Sequence, residues 1–511
     1  MSHPSQKIHS VAELGAIAAS ARANGKSVAL CHGVFDVLHL GHVRHLEIGH
    51  READILMVTL TGDQFVNKGP GRPVFSEGLR AEMLAALSCV DYVAINQSPT
   101  AEPVLEVVRP SLYVKGGEYE DAANDITGKI TSEQEVVERH GGRVLFTHDI
   151  TFSSSSIINR HLDVLEPELR VFLEKMRLSG AEDSIPALID KVRDYRVVLI
   201  GDSILDEYQY VSPLGKSWKE NMIATQFMRA EKFAGGCFAA ANHAASFCKS
   251  VDLITVIGND SADLDLIRAN LLPNVKLHAL HASGRPTTRK VRFIDPAYSL
   301  RKLFEVYHMD DTPYDPELRT QVDQLIKDLV PDADLTIVTD FGHGLIAHST
   351  IDFLTKNAKF LAVNAQSNSA NHGFNPVTRY PRADFICIDA PEARLAVNEK
   401  FATPQQLLDD LLPARMRCDR AIVTWGAQGC YARDPDGEIV HIPAFTRSTV
   451  DTVGAGDAFF AVAAPLAAAG GNMRDVAFVG NAAGAIKVGI VGHRSSVQKV
   501  PILKFLSALF K

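Results

Sequence analysis

Gly33-Val-Phe-Asp-Val-Leu-His-Leu-Gly-His42 follows directly on the apolar run Ser27-Val-Ala-Leu-Cys31. Behind it the apolar residues return at Val43, Leu46 and Ile48, so the stretch reads as a strand giving way to a helix. The N–H groups at a helix N-terminus attract phosphate. Gly41 leaves room for close approach, and His39 and His42 can donate hydrogen bonds to charge developing on a phosphorus atom. The combination points to a nucleoside triphosphate held at the mouth of a helix behind a parallel strand.

Outward from this stretch, strand-like and helix-like segments alternate along nearly the whole chain, the pattern of an α/β protein with parallel sheets. Strands are expected at Val28–Cys31, Ile55–Leu60, Tyr92–Ile95, Leu112–Val114 and Arg143–Thr147. A helix is expected over Ser76–Leu87, with Leu79, Met83, Ala86 and Leu87 on its apolar face. A length of 511 residues calls for more than one core. The expected division is a first domain over 1–162, a charged linker helix over 163–190, and a second domain over 191–511 that opens on Arg196-Val-Val-Leu-Ile200.

Composition narrows the function classes. With 46% hydrophobic and 22% charged residues the chain is of the soluble globular kind. A net charge of −9 without a long basic run disfavours a nucleic-acid partner. The seven cysteines are scattered and form no CxxC pair, which suits free thiols in a reducing cytoplasm better than a zinc site. The N-terminus lacks the apolar core of a signal peptide, and Ala458–Ala469, the most apolar stretch, is shorter than the roughly 20 residues that cross a bilayer. A cytoplasmic protein with no membrane partner is expected.

Further chemistry-bearing segments follow in order. Lys68 and Arg72 lie in Asn67-Lys-Gly-Pro-Gly-Arg-Pro-Val74, a loop able to close over a polyphosphate. Arg80 falls on the next helix, and Lys115-Gly-Gly-Glu-Tyr119 follows an apolar strand. Ser153, Ser154, Ser155 and Ser156 precede Ile157-Ile158 and offer hydroxyls and N–H groups at a helix start. In this order, across residues 26–161, the segments resemble the nucleotidyltransferase superfamily of the glycerol-3-phosphate cytidylyltransferase type. The adenylyltransferase half of the bacterial bifunctional heptose enzymes is the nearest likeness. The resemblance implies a Rossmann-like domain that transfers a nucleoside monophosphate from ATP or CTP to a phosphate monoester, with Mg²⁺ and release of pyrophosphate. Such a transfer needs no covalent intermediate, only aligned oxygens and neutralised charge. It implies His39 and His42 at the α/β-phosphates, Lys68 in the triphosphate loop, and the serine cluster at the β/γ-phosphates. Gly33, Phe35, Gly41, Arg80 and Lys115 complete the implied nucleotide site, and Asp36 either orients the loop or helps hold Mg²⁺. His32 departs from the pattern, since the heptose enzymes carry a small amide there. The absence of a KMSKS-like loop argues against an aminoacyl-tRNA synthetase.

A second constellation lies in Val450-Asp-Thr-Val-Gly-Ala-Gly-Asp-Ala-Phe-Phe460, where a turn of small residues leads into an apolar helix. Asp457 there could accept a proton from an attacking hydroxyl. Gly235-Gly236 precede a helix of small residues, Gly201-Asp202 follow the strand at 196–200, and Thr424-Trp-Gly-Ala-Gln-Gly429 follows another strand. The set resembles the ribokinase-like (PfkB) sugar kinases over about residues 192–505. That resemblance implies an α/β domain with a small β lid, formed by Asp206–Lys232 and Arg285–Glu305, a homodimer, and ATP-dependent phosphorylation of a sugar hydroxyl. It makes Asp457 the base and the N–H groups of Gly454, Ala455 and Gly456 an anion hole. Thr424, Gly426 and Gly429 then face the nucleotide, and Asp202, Asp206, Gly235, Gly236 and Asn242 the sugar. Asp389 and Glu392 stand where the group has Asn-x-x-Glu, an indirect metal-organising pair. At Val363-Asn-Ala-Gln366 the heptose kinases carry Asp-Pro-Lys, and both charges are missing here.

The two resemblances together imply a heptose 7-phosphate kinase/heptose 1-phosphate adenylyltransferase type of enzyme with its domains in swapped order. Its expected product is a nucleotide-activated sugar of the ADP-heptose kind, destined for lipopolysaccharide or another glycan. The alternative is a CTP-dependent transferase acting on a polyol or sugar phosphate, joined to a catalytically silent PfkB-like binding or dimerisation domain.

Overall fold

The computed structural model describes residues 4–66, 69, 71–120, 129–147, 165–297, 300–446 and 449–511. Two compact units emerge, Met1–Glu166 together with Leu503–Lys511, and Pro167–Ile502. The segment expected as a linker helix contains two helices, Pro167–Leu178 and Ala181–Lys191, and both group with the second unit. The last nine residues group with the first unit. Phe505, Leu506, Leu509 and Phe510 are buried there, a cover that so apolar a run requires.

The first unit is built on a six-stranded sheet of order β1-β4-β3-β2-β5-β6. Its strands are β1 (Ile8–His9), β2 (Val28–Gly33), β3 (Ile55–Thr61), β4 (Tyr92–Asn96), β5 (Leu112–Gly116) and β6 (Arg143–Thr147), every neighbouring pair parallel. β2 is central and covered on both faces, so Val28, Ala29, Leu30 and Cys31 form an uninterrupted apolar run rather than an alternating one. From β2 the chain moves outward to β3 and β4, then crosses to β5 on the other side. That reversal opens a crevice at the carboxyl end of β2, the usual ligand position in such sheets.

The helix expected over Ser76–Leu87 runs over Glu77–Ala85, but its buried face is Arg80, Ala81, Leu84 and Ala85, one position round from the apolar set expected. Leu79 is half exposed. The reason is Arg80, whose side chain is completely buried. Its guanidinium donates to the carbonyls of Phe75 (2.9 Å), Val34 (2.5 Å) and Thr61 (2.9 Å) and to Asp63 Oδ1 (2.6 Å). Arg80, expected at the nucleotide, ties four chain segments together through these bonds. Arg80→Met is expected to lower the stability of the first unit by about 3 kcal/mol, the scale for stranding several buried acceptors. The midpoint of urea unfolding measures this.

The second unit carries a nine-stranded sheet of order β11-β10-β7-β14-β15-β16-β17-β18-β19 and a four-stranded sheet of order β13-β12-β8-β9. In the larger sheet β7 (Arg196–Gly201), β10 (Ser250–Ile257), β11 (Val275–His281), β14 (Leu335–Asp340), β15 (Leu361–Ala365), β16 (Phe385–Asp389) and β17 (Arg420–Thr424) are parallel. Only β18 (Cys430–Arg433) and β19 (Ile439–Ile442) join antiparallel. The smaller sheet comprises β8 (Ser203–Lys216), β9 (Ile223–Gly236), β12 (Arg289–Asp295) and β13 (Arg301–His308), the segments expected to form a lid. Its strands carry exposed Leu214, Ile223, Phe227, Met228, Phe304 and Val306. Strand order again reverses beside the central strand, here between β7 and β14.

Candidate functional site

In the first unit His39 is the N-cap of the helix Leu40–Arg51, which starts at the carboxyl end of β2. One turn of helix brings His42 back over His39, and the two imidazoles stack with centroids 3.9 Å apart. Gly41 between them keeps this turn free of a side chain. Phe35 adopts a left-handed backbone (φ 50) and sets its ring edge against His42 at 5.3 Å, with Gly33 packed beneath it. Burial lowers the basicity of His39, favouring the neutral ring, which donates through one N–H. His32 binds Thr59 Oγ1 at 2.9 Å, and burial first, then the charge of Lys115, pushes it down to about 3. It is therefore a neutral strand-to-strand link.

Asp36 is buried and accepts the N–H of Val74 at 2.6 Å through Oδ1, so it orients the loop that carries Arg72. Lys115 pairs with Glu133 at 2.7 Å, and Tyr113 donates to the same carboxylate at 3.0 Å. Lys115 thus sits at the end of β5, beside the crevice, with its charge partly neutralised. Lys68 and Ser153–Ser156 lie outside the described residues.

In the second unit the pairing of β8 with β9 sets Ser203 opposite Gly236 and Ile204 opposite Gly235, and Gly235 lies against Asp206, so three expected sugar contacts come together. A Cβ on Gly235 would overlap the Asp206 carboxylate, so only glycine allows this approach. Asp206 is buried between Arg292 and the His493 ring (Nε2, 3.2 Å). These partners hold its carboxyl well below the usual range despite burial. Asp202 is different: it accepts the N–H groups of Phe341 (2.9 Å), His343 (3.3 Å) and Leu345 (3.3 Å). Its oxygens shape the loop after β14. Asn242 is likewise engaged elsewhere, donating to Asn270 O (2.7 Å) and accepting from Leu272 N (2.9 Å).

Gly454 caps the helix Ala455–Ala468 with φ 74, and a Cβ on it would lie 2.5 Å from His493 Cε1. A Cβ on Gly456 would meet nothing within 4 Å. Asp457 follows in the first helical turn, 8% exposed, its affinity for a proton raised by burial. Gln366 donates to Asp457 Oδ1 at 2.8 Å, and Asn364 donates to Cys387 O at 2.7 Å. The uncharged pair thus fills the place of the missing charges and touches the expected base. Thr424 pairs in register with Asp389, and Gly426 and Gly429 follow in the turn to β18.

Asp389 and Glu392 form a capping box on the helix Ala390–Val397. Burial first, then the Asp389 charge, pushes Glu392 up to about 8. A carboxyl that binds its proton more tightly folded than unfolded loses stabilisation as pH rises from the ordinary carboxylate range through about 8. Glu392→Gln is therefore expected to flatten the decline in second-unit stability over that window, as read from melting temperature against pH.

The comparisons with known proteins agree with this geometry. The profile of the pfkB family carbohydrate kinases matches residues 195–500. The chain belongs to the pfkB carbohydrate kinase family. A cytidylyltransferase-like profile matches residues 30–161, ahead of the pfkB part. The bifunctional protein HldE of Syntrophotalea carbinolica is 40% identical over 148 residues, covering 28% of this chain and 29% of that protein. The protein of the same name from Geobacter metallireducens is 38% identical over 159 residues, 30% and 31% of the two chains. The chain thus matches less than a third of the length of these relatives. Phosphofructokinase-2 of Escherichia coli, in complex with substrates and products, superposes with a TM-score of 0.50 at 15% identity, covering 63% of this chain and all of that one. At that identity the likeness is one of fold.

Several site residues of the pfkB unit were not anticipated, namely Arg292, His493, Asp451 and Lys487. Asp451 stands in the quoted 450–460 stretch, and Lys487 is a lone lysine ending a helix of small residues, so both carried a signal. Arg292 and His493 become partners of Asp206 only through tertiary contact.

Proposed function

We propose that the chain is a bifunctional enzyme that makes a nucleotide-activated sugar of the ADP-heptose type. The first unit transfers a nucleoside monophosphate from ATP to a sugar 1-phosphate, and the second phosphorylates a sugar or sugar phosphate with ATP. One observation carries the reading: in each unit a helix N-terminus with its signature residues stands at the carboxyl ends of parallel strands, His39/His42 behind β2 and Gly454–Asp457 beside Gln366, which follows β15. In the transferase, N–H groups and the two imidazoles would receive charge from the α- and β-phosphates while the acceptor phosphate attacks. In the kinase, Asp457 would take the proton of the sugar hydroxyl, and the amides of Gly454–Gly456 would receive the moving phosphoryl group.

Lys290 supports an acceptor that already bears a phosphate. It is 7% exposed, and its ammonium lies 5.2 Å from the Tyr307 ring centre and 5.9 Å from that of Phe341. Asp206, Asp457 and Glu305 act on it through space, and an ammonium at this place would receive a phosphate carried by the acceptor. Asp389 and Glu392, the pair expected to organise a metal indirectly, would hold Mg²⁺ through its water shell. Mg²⁺ commonly binds one or two carboxylates and completes its shell with phosphates and water. When bound, the ion would neutralise charge on the nucleotide phosphates.

The deciding assay measures pyrophosphate release with each NTP over a panel of sugar 1-phosphates, and ADP formation with free and phosphorylated hexoses and heptoses. Pyrophosphate release with CTP and a polyol phosphate, without ADP formation from any sugar, would establish the transferase with a silent kinase domain instead. The apolar lid face is expected to make the protein a homodimer, and Phe227→Asp is expected to give monomers in light scattering.

A further inference from the structure

Two buried charges of opposite sign grip the main chain of the same two residues beside the expected anion hole. Asp451 accepts the N–H of Val453 at 3.2 Å and the N–H of Gly492 at 2.8 Å. Lys487 donates from Nζ to the carbonyl of Val453 at 2.7 Å and to the carbonyl of Gly492 at 2.7 Å. Each of the two residues is thus held through its N–H by a carboxylate and through its C=O by an ammonium. Val453 immediately precedes Gly454, the cap of the helix that bears Asp457. Gly492 immediately precedes His493, whose ring lies against Gly454 and pairs with Asp206.

Lys487 is completely buried at the end of the helix Met473–Lys487, among small and apolar residues. It has no ion-pair partner within 4.0 Å among the described residues; Asp451, Asp457 and Asp206 act on it through space. Burying an ammonium is costly, and a leucine or methionine would fill the volume at less expense in solvation. What the ammonium does that neither could is draw two carbonyl oxygens to one positive centre. Main-chain carbonyls treat a monovalent cation the same way when they replace its hydration shell.

We propose that Lys487 is a tethered monovalent cation, a positioning residue that holds the Val453 and Gly492 carbonyls together and thereby fixes the Gly454–Gly456 anion hole. The proposal rests on the kinase reading of the second unit and goes beyond it. The clamp is complete without an added ion, so the kinase of the unmodified protein does not respond to potassium or ammonium at constant ionic strength. Removing the side chain leaves a cage of carbonyls that a free cation of similar radius can enter.

The test uses the full chain and Lys487→Ala. The variant is expected to lose about 100-fold in kcat for sugar-dependent ADP formation, the scale of disturbing an oxyanion-type site, with sugar KM little changed. Ammonium or methylammonium chloride is expected to restore much of the loss, and sodium chloride at the same ionic strength none of it. Crystals of Lys487→Ala grown with rubidium are expected to show an anomalous peak between the Val453 and Gly492 carbonyl oxygens. Should the variant be poorly folded, ammonium is expected to raise its melting temperature in a dose-dependent way.

A variant with unimpaired kcat, a rate or melt indifferent to ammonium, an empty or collapsed cage, or potassium activation of the unmodified protein each overturns the proposal. If no sugar supports ADP formation by the unmodified protein, the kinase reading falls instead, and the rubidium and melting measurements still decide whether Lys487 stands in for a cation.

Discussion

His39→Ala and His42→Ala are each expected to lower pyrophosphate release by the first unit at least ~100-fold, the scale of losing one donor from a site that stabilises developing anionic charge. Both rings stand at the first turn of the helix behind β2, stacked at 3.9 Å, so each would reach the phosphates from a fixed direction. The loss is expected in kcat, because the interaction strengthens only as charge builds during transfer. Initial rates over a range of NTP concentrations separate this from weakened binding. A further effect is specific to the stacked pair: each imidazole packs on the other, so the double variant is expected to be little worse than either single one. Near-normal turnover in both single variants would remove the two histidines from the reaction. The kinase rate of the same preparations serves as the internal control.

Asp457→Asn is expected to abolish sugar-dependent ADP formation to the limit of about a 10³-fold fall in kcat, within the range for a positioned general base. Asparagine preserves the shape of the side chain and can still meet the Gln366 amide, so fold and sugar affinity are expected to persist. Buried as it is, Asp457 has a raised affinity for a proton, which suits a group that must accept one from a hydroxyl. Gln366→Ala frees Oδ1 of Asp457 and is expected to change the rate far less than loss of the carboxylate. Retained ADP formation in Asp457→Asn would assign the base elsewhere. Unchanged pyrophosphate release in the same variant would show that the transferase works independently of it.

Much of the architecture was legible before any coordinates, because parallel strands buried on both faces are written as unbroken apolar runs. β2 was expected at Val28–Cys31 and spans Val28–Gly33; Ile55–Leu60, Tyr92–Ile95 and Arg143–Thr147 matched their strands to within a residue. Both helix-mouth turns were legible too, since glycine followed by a helical apolar pattern is a local signal. The face of the helix Glu77–Ala85 was misread because polarity was taken as exposure. Arg80 is buried by four hydrogen bonds whose acceptors lie 5 to 46 residues away in sequence.

Local pattern along the chain therefore accounted for the strands, the two helix mouths and the residue types at them, because each depends on neighbours within a turn or a strand. It could not say which charges would meet. Asp202 and Asp206 stand four positions apart, yet one is spent on three backbone amides and the other faces Arg292 and His493. Asn242 meets Asn270 and Leu272, and Lys487 the carbonyls of Val453 and Gly492. Those outcomes were decided in space, where a buried polar group takes whatever partner the packed chain brings within about 3 Å, however far apart the two lie in the sequence.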